Sequence, residues 1–444
     1  MSRRRPAEKS RAEKSRPGAE PKRLPAAEPG APERGDWPWL AALLLLAFLI
    51  GCVEIEDPDL WWHLRTGQLI FERGEIPRHD WFTYTNPESE WIDLHWGFQL
   101  IAAALWPLGG AALLVPCKAL VQTAAIGAVV YASRGEASWR RMAACWLPAV
   151  LVFSGRNQVR PEMFSFLFLA LELAIVARVR QKPRLAWLLP AIQAVWINVH
   201  ALFILGLVVW GCFLADALFR RWRGGRNDAA NEAKQGNFRL WAGVTVGMLA
   251  ASLANPYGYR GALFPFVLLR RVQGADRDFY RQFAGEFDGL GEFLAAHGLA
   301  AALTNVTIAM SFLLAALGAA SFARLALRGR FDLYRALIFA AFAYLAWQSN
   351  RNSALFAIAG GWVVARNFAD LACGAMPPAN RQRFRFGPVA LAVALGLLIV
   401  SMPTDLFWTL ARSESPRRFG FGEVPHLFAH ESARFLGSEG MPRN

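Results

Sequence analysis

An all-α bundle of membrane-spanning helices is the fold the sequence predicts, and three observations predict it. Hydrophobic residues make up 55% of the 444, and they recur as separate runs of membrane-spanning length, not as the scattered positions of a soluble core. The runs are bounded by arginine clusters or by Pro, Gly and Trp, the flanks of a bilayer interface. Every second loop is basic, which is the alternation that positive-inside topology produces.

The elements follow in order. Residues 1–36 are Arg, Lys, Glu, Pro and Ala with almost no large apolar side chain. They bury too little surface to offset their chain entropy, so they read as a disordered, basic cytoplasmic tail. The tail is too long and too mixed in charge for a signal-peptide n-region, and Trp37 to Val53 lacks a small-residue cleavage site. That run is a retained first span, crossing at Leu40 to Val53. A polar outer loop, 54–96, follows it. Phe98 to Trp106 is too short to cross a core of ~30 Å at ~1.5 Å per residue, and Pro107 and Gly109-Gly110 break it. It is expected to be interfacial or re-entrant, with Ala111 to Tyr131 returning the chain to the cytoplasm.

The same rhythm continues through Met142–Phe153, Phe164–Ala177, Leu185–Trp196, Phe203–Leu218 and Leu240–Leu253. A second outer loop, 255–297, precedes Leu299–Leu325, Tyr334–Trp347 and Leu355–Val364. The last span, Val389–Met402, follows the basic segment with Arg381, Arg383 and Arg385. About eleven spans result, with 37–402 as the bundle and 403–444 as an extracytoplasmic segment. Asn305-Val-Thr307, a glycosylation-like triplet, falls inside a predicted span.

The net charge of +14 would suit a nucleic-acid binder, but it is spread through short loops. No soluble segment carries a basic stripe with interleaved aromatics, so no nucleic-acid partner is expected. Cys52, Cys117, Cys145, Cys212 and Cys373 lie in or beside apolar runs without CxxC spacing and read as small buried hydrophobes. No Gly-rich phosphate loop, HExxH, nucleophile elbow or kinase signature is present.

Ionisable groups held near a membrane point to chemistry. The first outer loop has the densest group: Glu54, Glu56, Asp57, Asp59, His63, Arg65, Asp80, Asp93 and His95. Trp61, Trp62, Trp81, Trp91 and Trp96 are interleaved, and interfacial anchoring is their ordinary role. A helix over Leu60–Phe71, broken by Gly74-Glu-Ile-Pro77, would put Asp59 and His63 on one face. Asp57, Asp59 and His63 are a candidate ligand set for a divalent cation such as Mg²⁺ or Mn²⁺, although hard-cation sites have no fixed spacing. Arg156, Arg160 and Arg351 lie on the predicted outer face, where arginine should be depleted, and a guanidinium fork matches phosphate. Arg260, after Asn255-Pro-Tyr-Gly258, is a further arginine of that face; Asn198 and His200 sit at another outer turn, where His200 is the weaker candidate.

These motifs resemble the GT-C superfamily of membrane glycosyltransferases, and in particular a bacterial branch whose first outer loop reads like Asp57-Pro-Asp-Leu-Trp-Trp-His-Leu-Arg-Thr-Gly67. The likeness continues through Gly74-Glu-Ile-Pro77, Asp80-Trp-Phe-Thr-Tyr84, Trp91-Ile-Asp-Leu-His95, Arg156-Asn-Gln158, Trp196-Ile-Asn-Val-His200 and Asn255-Pro-Tyr-Gly258. The resemblance implies a multispan enzyme of the bacterial inner membrane that takes sugar from a polyprenyl-phosphate carrier on the extracytoplasmic face. Asp57 would be the catalytic acid residue, Asp59 would complete a DxD-like pair, and Asp80 would be a second candidate. Arg156, Arg160 and Arg351 would hold the donor phosphate. Trp96 departs from related loops, which often carry an acid after the histidine. Phe419-Gly-Phe-Gly422 onward looks like the opening of an outer-face domain. A transporter or flippase of lipid-linked glycans, or a non-catalytic membrane scaffold, is the competing expectation. Membrane lipid and lipid-linked sugar are the expected partners.

Overall fold

The computed structural model describes residues 36–223, 237–273, 288–372, 386–411 and 417–430. The predicted basic tail up to residue 35, residues 274–287 of the second outer loop, the segment with Arg381, Arg383 and Arg385, and everything past 430 lie outside the described residues.

The architecture is all-α, as the apolar runs predict. In chain order the helices are α1 (Trp37–Gly51), α2 (Asp59–Arg73), α3 (Trp96–Ser133), α4 (Trp139–Val152), α5 (Glu162–Val179), α6 (Leu188–Trp196) and α7 (Ile204–Arg223). They continue as α8 (Asn237–Ala251), α9 (Tyr259–Gln273), α10 (Leu290–Thr304), α11 (Val306–Leu327), α12 (Leu333–Gln348), α13 (Ser353–Ala372), α14 (Phe386–Ser401) and the short α15 (Leu406–Leu410). Between them, β-pairing among the described residues is limited to isolated bridges.

Among the described residues, four segments are long and apolar enough to cross a membrane: Trp96–Ser133, Ala201–Arg223, Val306–Leu327 and Asn350–Ala372. The other seven of the eleven predicted spans are shorter or more charged. α1, for example, has 15 residues, or roughly 22 Å of rise against a core of ~30 Å. Several of these short helices run into 3₁₀ turns, such as Phe153–Gly155 after α4 and Pro183–Trp187 before α6. Large exposed side chains, among them Leu120, Val246, Leu249, Leu397 and Val400, are what lipid-facing surfaces require.

The predicted break after Trp106 is present. Helix α3 is two helices merged across Gly110, whose φ of 55° and ψ of −140° suit only glycine. The predicted span Leu299–Leu325, by contrast, is divided at Asn305. That residue is extended, and its side chain caps α11 by accepting from the Ile308 amide at 3.3 Å. Asn305-Val-Thr307 therefore sits at a helix start and not in mid-span. Asn competes for backbone donors in this way, and apolar run length alone does not reveal it.

Helix α13 is the axis of the bundle. Of its apolar window 83% is buried, and it touches α3, α4, α5, α11 and α12. Its Gly360-Gly361 pair permits close approach: a Cβ on Gly361 would meet the Trp146 ring at 2.7 Å. Contacts sort the helix termini into two ends. The end of α1 and the starts of α3, α5 and α13 gather with the first loop at one end, the loop end. The ends of α3 and α5 and the start of α12 gather at the other, the arginine end.

At the loop end, α2 lies on α3. Leu60, His63, Leu64, Gly67 and Ile70 form its buried stripe at helical spacing. Gly74 ends the helix in the left-handed conformation (φ 69°), its N–H bonded to the Ile70 carbonyl, as the Gly-Glu-Ile-Pro signal predicts. The described C-terminal segment crosses this region as a strap. Ile55 donates to the Gly422 carbonyl and accepts from Val424, both at 3.0 Å, and Glu54 donates to the Arg418 carbonyl at 3.1 Å.

Gly67 decides how closely α2 seats. A Cβ there would lie 2.2 Å from the Gln99 carbonyl oxygen and 2.7 Å from the Ala103 Cβ. Gly67→Ala should therefore lift α2 from α3 and destabilise the protein by about 1–3 kcal/mol. The expected result is a lower melting temperature in detergent and faster proteolysis within 54–96.

Candidate functional site

Asp57 is the hub of the loop end. Its Oδ1 accepts from the Asp59 amide at 3.1 Å, a turn that Pro58 presets and that starts α2. The carboxylate is 4% exposed and needs a cation, because an unpaired charge buried there would cost several kcal/mol. Arg160 supplies it from 103 residues away. Its Nη2 donates to Asp57 Oδ1 at 2.8 Å, and its Nε donates to Oδ2. The same Nη2 lies 3.1 Å from Asp59 Oδ2. Two predicted acids and one predicted arginine thus share one fork.

A second fork lies on the adjacent turn. Arg156 Nε and Nη2 donate to the two oxygens of Glu162 at 3.0 and 2.7 Å, and Arg351 Nε lies 3.8 Å from Glu162 Oε2. Glu162 opens α5 just after Arg160-Pro161, where a carboxylate complements the helix dipole. The turn is tied down from below. Lys118, buried in α3, donates to the Asn157 carbonyl at 2.5 Å, and the Asn157 side chain donates to the Ile50 carbonyl at 2.7 Å. From above, Arg417 of the strap donates to the carbonyls of Ser154 and Gly155.

The remaining candidates sit elsewhere. Asp80 stays on its own exposed turn, accepting from the Phe82 and Thr83 amides and the Thr83 hydroxyl. The hydrogen bond from Thr83 is the main cause that holds its carboxyl below the ordinary aspartate value. It does not join Asp57. His63 follows Asp59 by four residues but turns into α3, with Nδ1 at 3.3 Å from Gln99 Nε2. Burial pushes its pKa down to about 2, with His95 and Arg160 adding to the effect, so the ring is neutral. The ligand set Asp57, Asp59 and His63 is therefore not assembled. No group of three His, Cys, Asp or Glu residues that would hold a metal ion occurs among the described residues, and both Asp57 oxygens are engaged by Arg160. Helical spacing puts two side chains on one stripe, but it does not fix which neighbour each one meets.

The tryptophans are packed more than the anchoring role requires. Trp61 meets Trp106, Phe428 and His430 edge-on, each at 5.4 Å, and Trp62 stacks near His63 at 3.8 Å. Trp96 donates to the Asn198 side chain at 3.0 Å, while the Asn198 amide donates to the carbonyls of Ala194 and Ala254. Asn198 is a structural clamp. His200 pairs with Ser165 at 2.8 Å, and Arg260 pairs with Glu90.

Glu162, Lys118 and Arg417 escape the sequence reading. The first two were open to it: a lysine inside an otherwise apolar run and an acid at the edge of one are costly and so informative. Arg417 carries no such signal, because its role depends on the strap folding back.

The fold and the loop-end cluster place the chain in a class of architecture, the multi-helix membrane proteins with an acidic first loop. A solved structure shares this fold. The chain superposes on the Archaeoglobus fulgidus oligosaccharyltransferase, crystallised with a tethered acceptor peptide containing an NVT sequon, with a TM-score of 0.53 and 14% identity. The match covers 91% of this chain and 58% of that one, so the chain spans little more than half of the archaeal enzyme's length. At this identity the likeness concerns the fold. No protein-family model and no curated protein matches the sequence.

Removing the Glu162 charge should be severe, because it leaves Arg156 and Arg351 facing each other in a half-buried turn. Glu162→Gln is expected to cost about 3 kcal/mol, read as a large drop in melting temperature. Asp80→Asn, on its exposed turn, should leave stability within about 0.5 kcal/mol.

Proposed function

We propose that this protein is a membrane glycosyltransferase that moves a sugar from a polyprenyl-phosphate carrier to an acceptor hydroxyl at the loop end, on the extracytoplasmic face. The observation that carries the reading is the fork of Arg160 on Asp57 and Asp59, beside Arg156 and Arg351. A guanidinium that binds a carboxylate bidentately binds a phosphate in the same geometry. A lipid phosphate arriving at the membrane surface would exchange with Asp57 for Arg160 and release the carboxylate to act as a base. The starts of α5 and α13 add the favourable end of their dipoles.

The acceptor oxygen then attacks the anomeric carbon, and its proton passes to Asp57. The bond from that carbon to the carrier's phosphate oxygen breaks, and its electron pair stays on the phosphate. Arg156, Arg160 and Arg351 stabilise the charge that develops there. One carboxylate is enough because phosphate leaves readily. Glycoside hydrolysis, by contrast, uses two carboxylates at a set separation. No step is assigned to a divalent cation, since Asp57 and His63 are turned to other partners. The surplus of arginine at the opposite end supports a cytoplasmic location for that end.

Transport of a lipid-linked glycan draws on one observation. Glu172 is fully buried in α5, and neither carboxylate oxygen has a hydrogen-bond partner among the described residues, which is how intramembrane acids of transporters are often found. Asp216 lends no such support, since it is paired with Arg180 and Arg220 at the arginine end.

Asp57→Asn should lower sugar transfer from polyprenyl-phosphate hexoses by about 10²–10⁴-fold, while expression, insertion and binding of polyprenyl phosphate persist. Arg160→Gln should weaken polyprenyl-phosphate binding as well as transfer. The glycosyltransferase reading fails if Asp57→Asn transfers normally, and a protein inactivated by Glu172→Gln but indifferent to Asp57→Asn would be a transporter.

A further inference from the structure

At the arginine end, opposite Asp57, lies a cavity of about 460 Å³ between α3, α5, α7, α12 and α13. Five arginines line it: Arg134, Arg178, Arg180, Arg335 and Arg366. Arg180 and Arg220 share Asp216 at 2.5 and 2.9 Å, and Arg335 and Arg366 share Asp370 at 2.6 and 3.5 Å. Asp332 lies on the wall, 3.6 Å from Arg220 and 3.7 Å from Arg335. With Glu136 on the adjoining turn, four carboxylates stand against six arginines among the described residues here. Two positive charges are in surplus.

The surplus has an address. Neither Arg134 nor Arg178 has a carboxylate partner among the described residues; each bonds one backbone carbonyl, that of Ala137 at 2.9 Å and that of Ala174 at 2.7 Å. Both are held by aromatic faces instead. The Arg134 guanidinium sits 4.2 Å from the Trp139 ring and that of Arg178 5.5 Å from the Tyr131 ring. Tyr131 and Trp139 in turn stack on each other at 6.4 Å. A guanidinium stacked on a ring keeps its edge N–H groups free to donate in plane. Two such edges, oriented before any ligand arrives, would suit an oxyanion in a cavity that Phe213 and Trp362 also line.

We infer that this cavity is a second binding site, specific for a dianionic phosphate group, with Arg134 and Arg178 as its principal ligands. The two surplus charges match a phosphomonoester or a diphosphate. The phosphate can belong to the headgroup of an anionic membrane lipid or to a soluble phosphate compound. The inference is independent of glycosyl transfer at the loop end.

The full-length protein in zwitterionic nanodiscs would be titrated with inorganic pyrophosphate, followed by tryptophan fluorescence and thermal shift. A parallel set of nanodiscs would carry increasing phosphatidic acid. Sodium chloride at matched ionic strength separates binding from screening. Saturable binding that weakens at least about tenfold in Arg134→Gln/Arg178→Gln is the expected result. A response to pyrophosphate alone assigns a soluble ligand, and a response to phosphatidic acid alone assigns a lipid headgroup. Should the double variant fold poorly, Arg178→Lys retains the charge but not the fork and should still weaken binding. Absence of saturable binding to either probe, or equal binding by the variants, overturns the inference.

Discussion

A carboxylate buried at the end of an apolar bundle must have a cation, and at Asp57 that requirement organises the loop end. Arg160 has to reach Asp57 from the turn between α4 and α5, so that turn cannot move independently of the first loop. Once Arg160 is fixed, Pro161 and Glu162 are fixed behind it, and Glu162 gathers Arg156 and Arg351. One ion pair therefore brings segments around residues 57, 156–162 and 351 to a common place. A bidentate fork restricts orientation as well as distance, which a lysine in the same position would not do.

The supports around this pair are backbone contacts, and their chemistry explains their placement. The Ser154, Gly155 and Asn157 carbonyls lie in a turn outside the regular helices, so they lack intrahelical partners. Arg417 and Lys118 satisfy them from opposite sides. The turn is thus held between α3 and the C-terminal strap, and the strap is held in turn by its pairing with Ile55. Arg160, which pairs with Asp57, and Ile55, two residues before it, are each tied to a separate part of the chain.

How much of this the sequence discloses differs by element. Helix α2 and its glycine cap, the break in α3 at Gly110 and the acidic first loop can all be read, because each is a local pattern with a local cause. The division at Asn305 is hidden by the continuity of the apolar run, although Asn is an ordinary N-cap residue. The meeting of Asp57, Asp59 and Arg160 was legible only as a list of candidates; partner choice across 103 residues is a tertiary property. His63 shows the same limit in reverse. Its spacing from Asp59 suggested a shared ligand set, yet the close approach at Gly67 draws that face of α2 into Gln99. Lys118 is visible as a charge in an apolar run and Glu162 as one at the edge of another, whereas the strap with Arg417 is not.

The two ends use arginine under different charge conditions, and this sets what each can do. At the loop end Arg156, Arg160 and Arg351 stand against Asp57, Asp59 and Glu162, so these six groups balance. An anion entering there has to displace a carboxylate from its arginine, and binding is necessarily coupled to freeing that carboxylate. That coupling is what a transfer reaction needs, since the base is uncovered only when the leaving group is in place. At the arginine end Arg134 and Arg178 carry charge that no carboxylate among the described residues offsets, so an anion would add to the structure without exchange. Exchange links binding to chemistry, while addition links it to stability. The difference follows from counting charges at each end of one bundle, before any ligand is named.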